Sequence, residues 1–226
     1  MARKGIHFLK TVSKSEAERL WHDAIRVGPM GGEEVPLGAA QGRVLDGDVL
    51  VPIDVPPFDR ALVDGYAVRA ADTFDANEDA PVTLELAPET APAGAVPETE
   101  VKDGFALEVA TGGVVPRGAS AVQMVELCEV EGERVRLYKP VAPGAHIQAA
   151  GADMRMGETV LRAGQRLTTR ELGVLAALGI AGVRVSKRPR VAIISTGDEL
   201  VSPGQPLEPG KIYDSNATTV EAAVRD

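Results

Sequence analysis

The sequence has few cysteine and aromatic residues and no long apolar run. It has one cysteine, Cys128, which allows neither an internal disulfide nor a cysteine-based zinc site. We expect Cys128 to be a small buried residue in a strand. Aromatic residues make up only 4% of the chain, so the cores must consist mainly of Val, Leu, Ile and Ala. No stretch reaches the roughly 20 apolar residues of a membrane span, and the first residues lack the apolar run of a signal peptide. We therefore expect a cytoplasmic protein without membrane contact.

Acidic residues outnumber basic ones, 33 to 24. The formal net charge is −9, whereas nucleic-acid-binding proteins usually carry a basic patch. The same charge disfavours an anionic membrane surface. The net charge does not exclude a small anionic substrate, because its site needs local positive groups and not a positive chain. The 226 residues suffice for one or two domains with real cores.

The first 58 residues predict one helix and then a stiff connector. Ser13 and Glu16 form a capping-box pattern before an amphipathic helix that ends near Gly28, with Trp21 as a packing residue on its apolar face. Residues 42–51 indicate a helical turn followed by a strand. Prolines then crowd residues 51–58 and favour extended backbone, so this stretch is a candidate domain boundary.

Residues 66–140 look all-β. The predicted strands are 65–69, 82–86, 105–109, 121–125 and 134–138. Gly, Pro, Asn and Asp clusters separate them at short intervals, as in a small barrel or sandwich. Residues 87–97, rich in Pro and Ala, predict a surface loop.

The last third of the chain predicts a second helix and the opening of an α/β domain. Residues 141–164 are irregular, and Thr168 and Glu171 form another capping box before a helix that Gly179 closes. A short strand follows at 183–185, and residues 190–195 (RVAIIS) are an apolar run typical of a buried parallel strand. A last helix is expected from about Asn216. Parallel strands need crossover partners, and none follow, so this α/β domain looks unfinished.

Two glycine-bearing segments in the β region could carry chemistry. The segment FDRALVDGY presents Asp64 immediately before Gly65, which permits a tight turn. An ordinary Asp-Gly turn into a strand is the commoner explanation of that pattern. In Thr111-Gly112-Gly113, a hydroxyl and two glycines would let backbone N–H groups approach an anion, although a plain glycine-rich loop explains these residues too.

Two further segments lie later in the chain. Ser195, Thr196, Gly197, Asp198 and Glu199 follow the apolar run, at the strand end where open α/β sheets bind ligands. Asp198 and Glu199 could hold Mg²⁺, with Asp214 meeting them at the start of the last helix. A solvated acidic loop is the alternative. Asp153 sits in the glycine-rich connector, where a turn role is the simpler explanation.

Taken together and in order, these segments resemble the MoeA family of molybdopterin molybdenumtransferases. IDVPPFDRALVDGYAV is similar to the family pattern PxFDxSAxDGYAV, and ATGGVVPRGASAVQMVE to TGAPxPxGADAVVxxE. GADMRMGETVLRAGQRLTTRELGVLAALGI resembles the family's linker. RVAIISTGDELVSPGQPLEPGKIYDSNATTV resembles the start of its MoaB/Mog-like domain. The four collinear matches cover the chain from about residue 30 to its end.

The resemblance implies a mixed α and β fold. Residues 1–53 and 141–186 would form an N-terminal and linker module, and residues 54–140 an inserted small barrel-like β domain. Residues 187–226 would begin a MoaB/Mog-like α/β domain that is incomplete here. Family members are homodimers with the site in a cleft between subunits.

The implied reaction inserts molybdate into adenylated molybdopterin, with hydrolysis of the adenylate and a cation such as Mg²⁺. Residue by residue, the match implies three sets: catalytic Asp64, Thr111 and Glu199; cofactor-binding Asp153, Ser195, Thr196 and Gly197; and metal-binding Asp198, Glu199 and Asp214. Carboxylates across a cleft suit metal and oxyanion handling. The choice between molybdenum and tungsten stays open.

Two departures from the family pattern keep other functions open. Ala61-Leu62 replaces the usual Ser-Ala, which removes a hydroxyl that could contact ligand. Family members also continue beyond residue 226, so we expect the fragment alone to be inactive. One alternative is a non-catalytic, gephyrin-like scaffold that clusters partner proteins. Another is an accessory protein that binds molybdate or pterin without turnover.

Overall fold

The computed structural model describes residues 11–25 and 28–225, and its fold is mixed α and β. The described residues divide into two compact units: residues 34–185 form one, and the described residues before 34 and after 185 form the other. Within the described part of the chain, no helix is both long and apolar enough to cross a membrane.

Within residues 11–25 and 28–225, the regular elements are three α-helices and 14 mostly short strands. The helices are α1 (Lys14–Ala24), α2 (Thr169–Ala177) and α3 (Ser215–Arg225). The strands are β1 (Gly32–Pro36), β2 (Val49–Leu50), β3 (Arg60–Ala61), β4 (Gly65–Val68), β5 (Val82–Ala91), β6 (Phe105–Val109), β7 (Ala121–Met124), β8 (Cys128–Glu131), β9 (Arg134–Leu137), β10 (Ile147–Gln148), β11 (Thr159–Leu161), β12 (Gly182–Ser186), β13 (Leu200–Val201) and β14 (Ile212–Tyr213).

A six-stranded sheet in the order β7-β4-β6-β5-β9-β8 dominates the larger unit. Within this sheet, β5–β6 is the one parallel pair, and the other neighbouring strands are antiparallel. The two edge strands, β7 and β8, are consecutive in sequence and joined by the three-residue turn Val125–Leu127. A flat sheet of this width would separate its edges by about 24 Å, whereas the chain from Met124 to Cys128 reaches at most about 14 Å. The sheet must therefore curl, although its hydrogen bonding stays open.

The predicted strands of this region are largely confirmed, with two differences. The strand predicted at 82–86 continues to Ala91, so the first part of the predicted loop 87–97 is wrong. A register shift between Leu86 and Thr90 lets Pro88 sit in the strand without breaking it. Strand β8, which begins at Cys128, was not predicted. Cys128 is half-buried, and burial raises the pKa of its thiol to about 12.

Three groups of buried side chains hold the larger unit together. Two lie among the strands of the six-stranded sheet, one around Val68, Leu84 and Leu137, and the other around Leu107, Val109 and Val122. The third joins the flanking segments through Leu45, Leu167, Leu175 and Val185. Helix α2 supplies Leu175, and its predicted capping box is present between Thr168 and Glu171. Short pairs β1–β12, β2–β11 and β3–β10 complete the unit.

Helix α1 forms as predicted from residue 14, but without burial. Ser13 caps it by accepting from the Glu16 N–H, while the Glu16 carboxylate pairs with Arg19 and does not complete the box. The prediction that Trp21 packs on the apolar face is wrong: its side chain is 65% exposed and no α1 residue is buried. The helix ends at Ala24, four residues before Gly28. Part of the predicted end, residues 26–27, lies outside the described residues.

The segment 186–225 departs most from its prediction. Residues 190–195 are neither a strand nor buried, and Ile194 is 82% exposed. An apolar run becomes a buried strand only where other strands pair with it, and no described strand does so here. The segment instead holds the parallel pair β13–β14 and helix α3, which begins at Ser215, close to the predicted Asn216.

Candidate active site

Asp64 occupies a tight turn between β3 and β4. Gly65, the next residue, is buried against the neighbouring strand β7. A Cβ atom on Gly65 would lie 1.9 Å from the Gln123 backbone oxygen, so only glycine fits there. Gly65 is therefore required by its packing against β7 and not by a left-handed backbone. The consequence is that Asp64 is presented from a fixed backbone.

The Thr111-Gly112-Gly113 loop is fastened to β3. Gly112 N–H donates to the Ala61 carbonyl at 2.8 Å, and Ala61 N–H donates to the Gly113 carbonyl at 2.9 Å. Gly112 has a φ of +80°, which disfavours other residues. A Cβ atom on Gly113 would lie 2.4 Å from the Ala91 oxygen. The two glycines thus bring Thr111 next to the Asp64 turn.

Asp64 and Thr111 form the best-defined polar contact of the site. Asp64 Oδ1 accepts from the Thr111 backbone N–H at 2.6 Å and from the Thr111 hydroxyl at 2.8 Å. These two hydrogen bonds, the backbone bond more than the hydroxyl bond, hold the pKa of Asp64 below its usual value. The carboxylate is exposed and therefore ionised at neutral pH. No hydrogen bond from the described residues reaches its other oxygen, Oδ2.

A pocket of about 480 Å³ opens beside this contact, at the ends of β4, β5 and β6. Asp64 lines it together with Tyr66, Thr90 and Glu108, which the sequence did not single out. The alternation in Phe105–Val109 contained a signal, because it places Glu108 on the opposite face from Leu107 and Val109. That alternation alone did not show what Glu108 faces.

Asp153 belongs to a different group of contacts. Its Oδ1 accepts from the Gln148 side-chain amide at 3.0 Å, and the Gln148 oxygen accepts from Arg60 Nε at 2.8 Å. Asp59 and Asp54 fasten the same connector, accepting from the N–H groups of Ala150 and Met156 at 2.8 Å each. The connection from Arg60 to Asp153 through Gln148 was missed, because 88 residues separate its two strand positions.

The remaining candidate residues lie in the smaller unit. Ser195, Thr196 and Asp214 line a pocket of about 480 Å³ beside the apolar run and α3. Asp214 Oδ1 accepts from the Ala217 N–H at 2.9 Å, and this bond, followed by one from Ser195, lowers the pKa of Asp214. Ser195 and Asp214 are thus brought together.

Gly197, Asp198 and Glu199 form an exposed acidic turn. A Cβ atom on Gly197 would lie 2.8 Å from Glu199 Oε2, so the Glu199 carboxylate folds back against the backbone. Lys211 Nζ donates to the Asp198 backbone oxygen at 2.5 Å. Throughout residues 11–25 and 28–225, no group of three or more His, Cys, Asp or Glu side chains is placed to hold a metal ion. The metal assignment of Asp198, Glu199 and Asp214 stays a prediction.

Ala61, one of the two departures from the family pattern, is a packing residue in this structure. Its side chain is 1% exposed and belongs to the core group around Leu107. Its backbone carries the two hydrogen bonds that fasten the Thr111 loop. Leu62 is 51% exposed, in the turn before Asp64. The geometry of the Asp64–Thr111 contact is therefore built without a hydroxyl at position 61.

Comparison with known proteins indicates the same family as the sequence motifs. A family model described as "MoeA N-terminal region (domain I and II)" matches residues 12–179. Molybdopterin molybdenumtransferase 2 of Mycobacterium tuberculosis is 47% identical over 192 residues, which are 85% of this chain and 47% of that protein. Molybdopterin molybdenumtransferase of Nostoc is 41% identical over 85% of this chain and 44% of its own length. The chain spans about half the length of the curated relatives it matches.

The fold is also similar to solved structures. A crystal structure of a molybdopterin biosynthesis MoeA protein from Pyrococcus horikoshii superimposes with a TM-score of 0.87 at 40% identity. The match covers 96% of this chain and 55% of the other. Since the family model covers most of the chain and the motifs, the fold and the sequence identities agree, the chain belongs to the MoeA family.

Proposed function

We propose that the protein to which this chain belongs inserts molybdate into adenylated molybdopterin, with hydrolysis of the adenylate. The observation that carries the proposal is the ionised Asp64 carboxylate, which Thr111 holds through both its N–H and its hydroxyl on a glycine-fixed turn beside a pocket. The names of the relatives, molybdopterin molybdenumtransferases, support the same reaction. The substrates are small molecules, adenylated molybdopterin and molybdate.

Asp64 has the features of a residue that positions a reacting group. Preorganised groups lower a barrier most when they need no rearrangement during the reaction. Asp64 Oδ1 is fixed by two hydrogen bonds, and Oδ2 can contact a ligand or its bound cation. Thr111 then acts mainly through Asp64, by keeping that carboxylate ionised and oriented. Asp153 is held by Gln148 and could bind substrate from the connector.

Mg²⁺ fits the acidic turn by the kind of donor that it offers. The oxygens of Asp198, Glu199 and Asp214 are the hard ligands that Mg²⁺ prefers. Mg²⁺ usually takes only one or two carboxylates and keeps waters or substrate oxygens as its other ligands, so a three-carboxylate cluster is not required. When bound, the ion would neutralise negative charge on the phosphate and molybdate oxygens. Ser195, Thr196 and Gly197 would contact the substrate beside it.

The wider arrangement is part of the same proposal. We infer an N-terminal and linker module from residues 1–53 and 141–186, an inserted β domain from residues 54–140, and the start of a MoaB/Mog-like domain from residues 187–226. The curl of the six-stranded sheet supports a barrel-like inserted domain. We also propose a cytoplasmic homodimer.

Complementation tests the proposal. The full-length gene that contains this sequence is expressed in a bacterial strain lacking its molybdopterin molybdenumtransferase, and the activity of a molybdenum enzyme is measured. We expect activity to return with the native sequence and to fall at least about tenfold with Asp64→Asn. The exposed carboxylate Asp75 provides a matched control, Asp75→Asn, which should restore activity fully.

Failure of the native gene to restore activity would reject the transferase. A scaffold or accessory protein would then be the better description, and binding of its partners should survive Asp64→Asn. Full activity of Asp64→Asn beside an active native gene would reject only the role of Asp64.

A further inference from the structure

Three polar side chains share one face of the sheet at the pocket beside Asp64. The strand register places Tyr66 of β4 opposite Glu108 of β6, and Glu108 opposite Thr90 of β5. These three side chains therefore form a continuous row across three strands. Asp64, in the turn just before β4, lines the same pocket. They line the pocket of about 480 Å³, within the range of about 300–1,000 Å³ common for small-molecule sites.

The Tyr66 hydroxyl is a polar group of the pocket that is open to a ligand. Its side chain is 6% exposed, yet no hydrogen bond from the described residues reaches the hydroxyl. Among the same residues, no fully buried side-chain oxygen or nitrogen lacks a partner, so this hydroxyl keeps some exposure, and Tyr66 lines the pocket. A nearly buried hydroxyl left open in this way is suited to a ligand. Burial, and then the charge of Glu108, raise the pKa of Tyr66, which keeps the hydroxyl protonated as a donor.

The carboxylates of the pocket define the ligand's chemistry. In the part of the chain that the structure describes, Glu108 is exposed and forms no ion pair, and Asp64 keeps Oδ2 without a hydrogen bond. Ionised carboxylates only accept hydrogen bonds, and they bind two parallel N–H donors especially well. They would repel a phosphate or molybdate group. The walls also include the apolar side chains of Pro92 and Val125. The pocket therefore favours a flat, neutral ring with adjacent N–H donors.

We propose that this pocket binds the 2-amino-4-oxopyrimidine edge of a pterin, with Glu108 accepting its paired N–H groups and Tyr66 donating to a ring acceptor. The inference rests on the proposed function, which supplies a pterin substrate, and it adds the residues that would recognise the ring. Asp64 then lies between the ring and the reacting end of the substrate, which leaves the anionic groups outside the acidic pocket.

Binding of free pterin to the 226-residue chain tests the inference without any turnover. The titration uses 2-amino-4-oxopteridine and, as comparator, its 2,4-dioxo analogue, which replaces one donor of the pair by an acceptor. We expect saturable pterin binding that weakens about tenfold or more in Glu108→Gln and for the dioxo analogue. Tyr66→Phe should weaken binding by about twofold to tenfold. Glu133→Gln, the same charge change in the β8–β9 turn, should leave it unchanged.

Circular dichroism of each variant shows that the fold is retained. The inference is overturned if the native chain does not bind pterin, if both ring systems bind alike, or if Glu108→Gln binds as the native chain does. Glu108-dependent pterin binding beside failed complementation would reject the transferase and keep the pterin site. Successful complementation without pterin binding would keep the transferase and reject the pterin site.

Discussion

Residues 34–185 and residues 186–225 both contain apolar runs, but the two regions bury their apolar side chains to different extents. Every buried hydrophobic residue of the described chain lies between Ala40 and Val185. In 186–225, Val191, Ile193 and Ile194 are at least one-third exposed, and helix α3 buries nothing. Burial of apolar area is the main stabilising contribution to a fold. The larger unit should therefore carry nearly all of the stability, and both regions carry candidate site residues.

Truncating one apolar residue in each region tests this contrast most strongly. Leu107→Ala removes a fully buried side chain from the core and should lower the free energy of unfolding by about 2–5 kcal/mol. Ile194→Ala removes one that is 82% exposed and should change it by less than about 0.5 kcal/mol. Urea unfolding curves of both variants give the comparison. A large loss for Ile194→Ala would mean that residues 190–195 pack against something in solution.

The same contrast explains what the sequence could predict. Strand β6 and helix α2 were predicted well, because alternation and capping are signals that neighbouring residues carry. Residues 190–195 were predicted wrongly as a buried strand, because their apolar character shows a need for partners and not their presence. The prediction that Trp21 packs on an apolar face was wrong for the same reason. Pro88 hid the continuation of β5, since the irregularity that accommodates it depends on the neighbouring strand.

For the site, the motifs identified residues but not their contacts. Asp64 and Thr111 could be chosen from separate segments, yet their hydrogen bonds join positions 47 residues apart. The glycines between them are explained only by backbone atoms of other strands, such as the Gln123 oxygen. Glu108 and Tyr66 became candidates only when the strand register placed them in one row.

A second comparison uses two glycines of the larger unit. Gly65→Ala would place a Cβ atom 1.9 Å from the Gln123 oxygen, so β4 and β7 must separate. We expect a loss of about 1–3 kcal/mol in the free energy of unfolding. Gly38 has open space around it, and Gly38→Ala should have little effect. Thermal or urea unfolding measures both, and equal losses would show that the close approach of β4 and β7 is not maintained.

The N-caps of α1 and α2 allow the same comparison of a buried with an exposed element, with smaller expected effects. Thr168→Ala removes the cap of α2, which contributes Leu175 to the core, and should cost about 1 kcal/mol in global stability. Ser13→Ala removes the cap of α1, which buries nothing, and should reduce helix content while changing global stability by less than about 0.5 kcal/mol. Circular dichroism and urea unfolding separate the two effects. A global loss for Ser13→Ala would indicate that α1 packs in solution.

The smallest expected effect concerns two candidate site carboxylates with lowered pKa, Asp64 in the larger region and Asp214 in residues 186–225. Because the pKa of Asp64 is lowered in the folded chain, its contribution to stability is present above the unfolded pKa and is lost as pH falls through the folded value. Thr111→Val removes the hydroxyl bond and should raise the pKa of Asp64. That pKa should stay below its ordinary value, because the backbone N–H bond is the larger cause. The pKa of Asp214, which Ala217 and Ser195 set, should not move. Carboxyl-carbon NMR titration of both residues measures this, and an unchanged pKa of Asp64 would mean that the hydroxyl bond does not persist in solution.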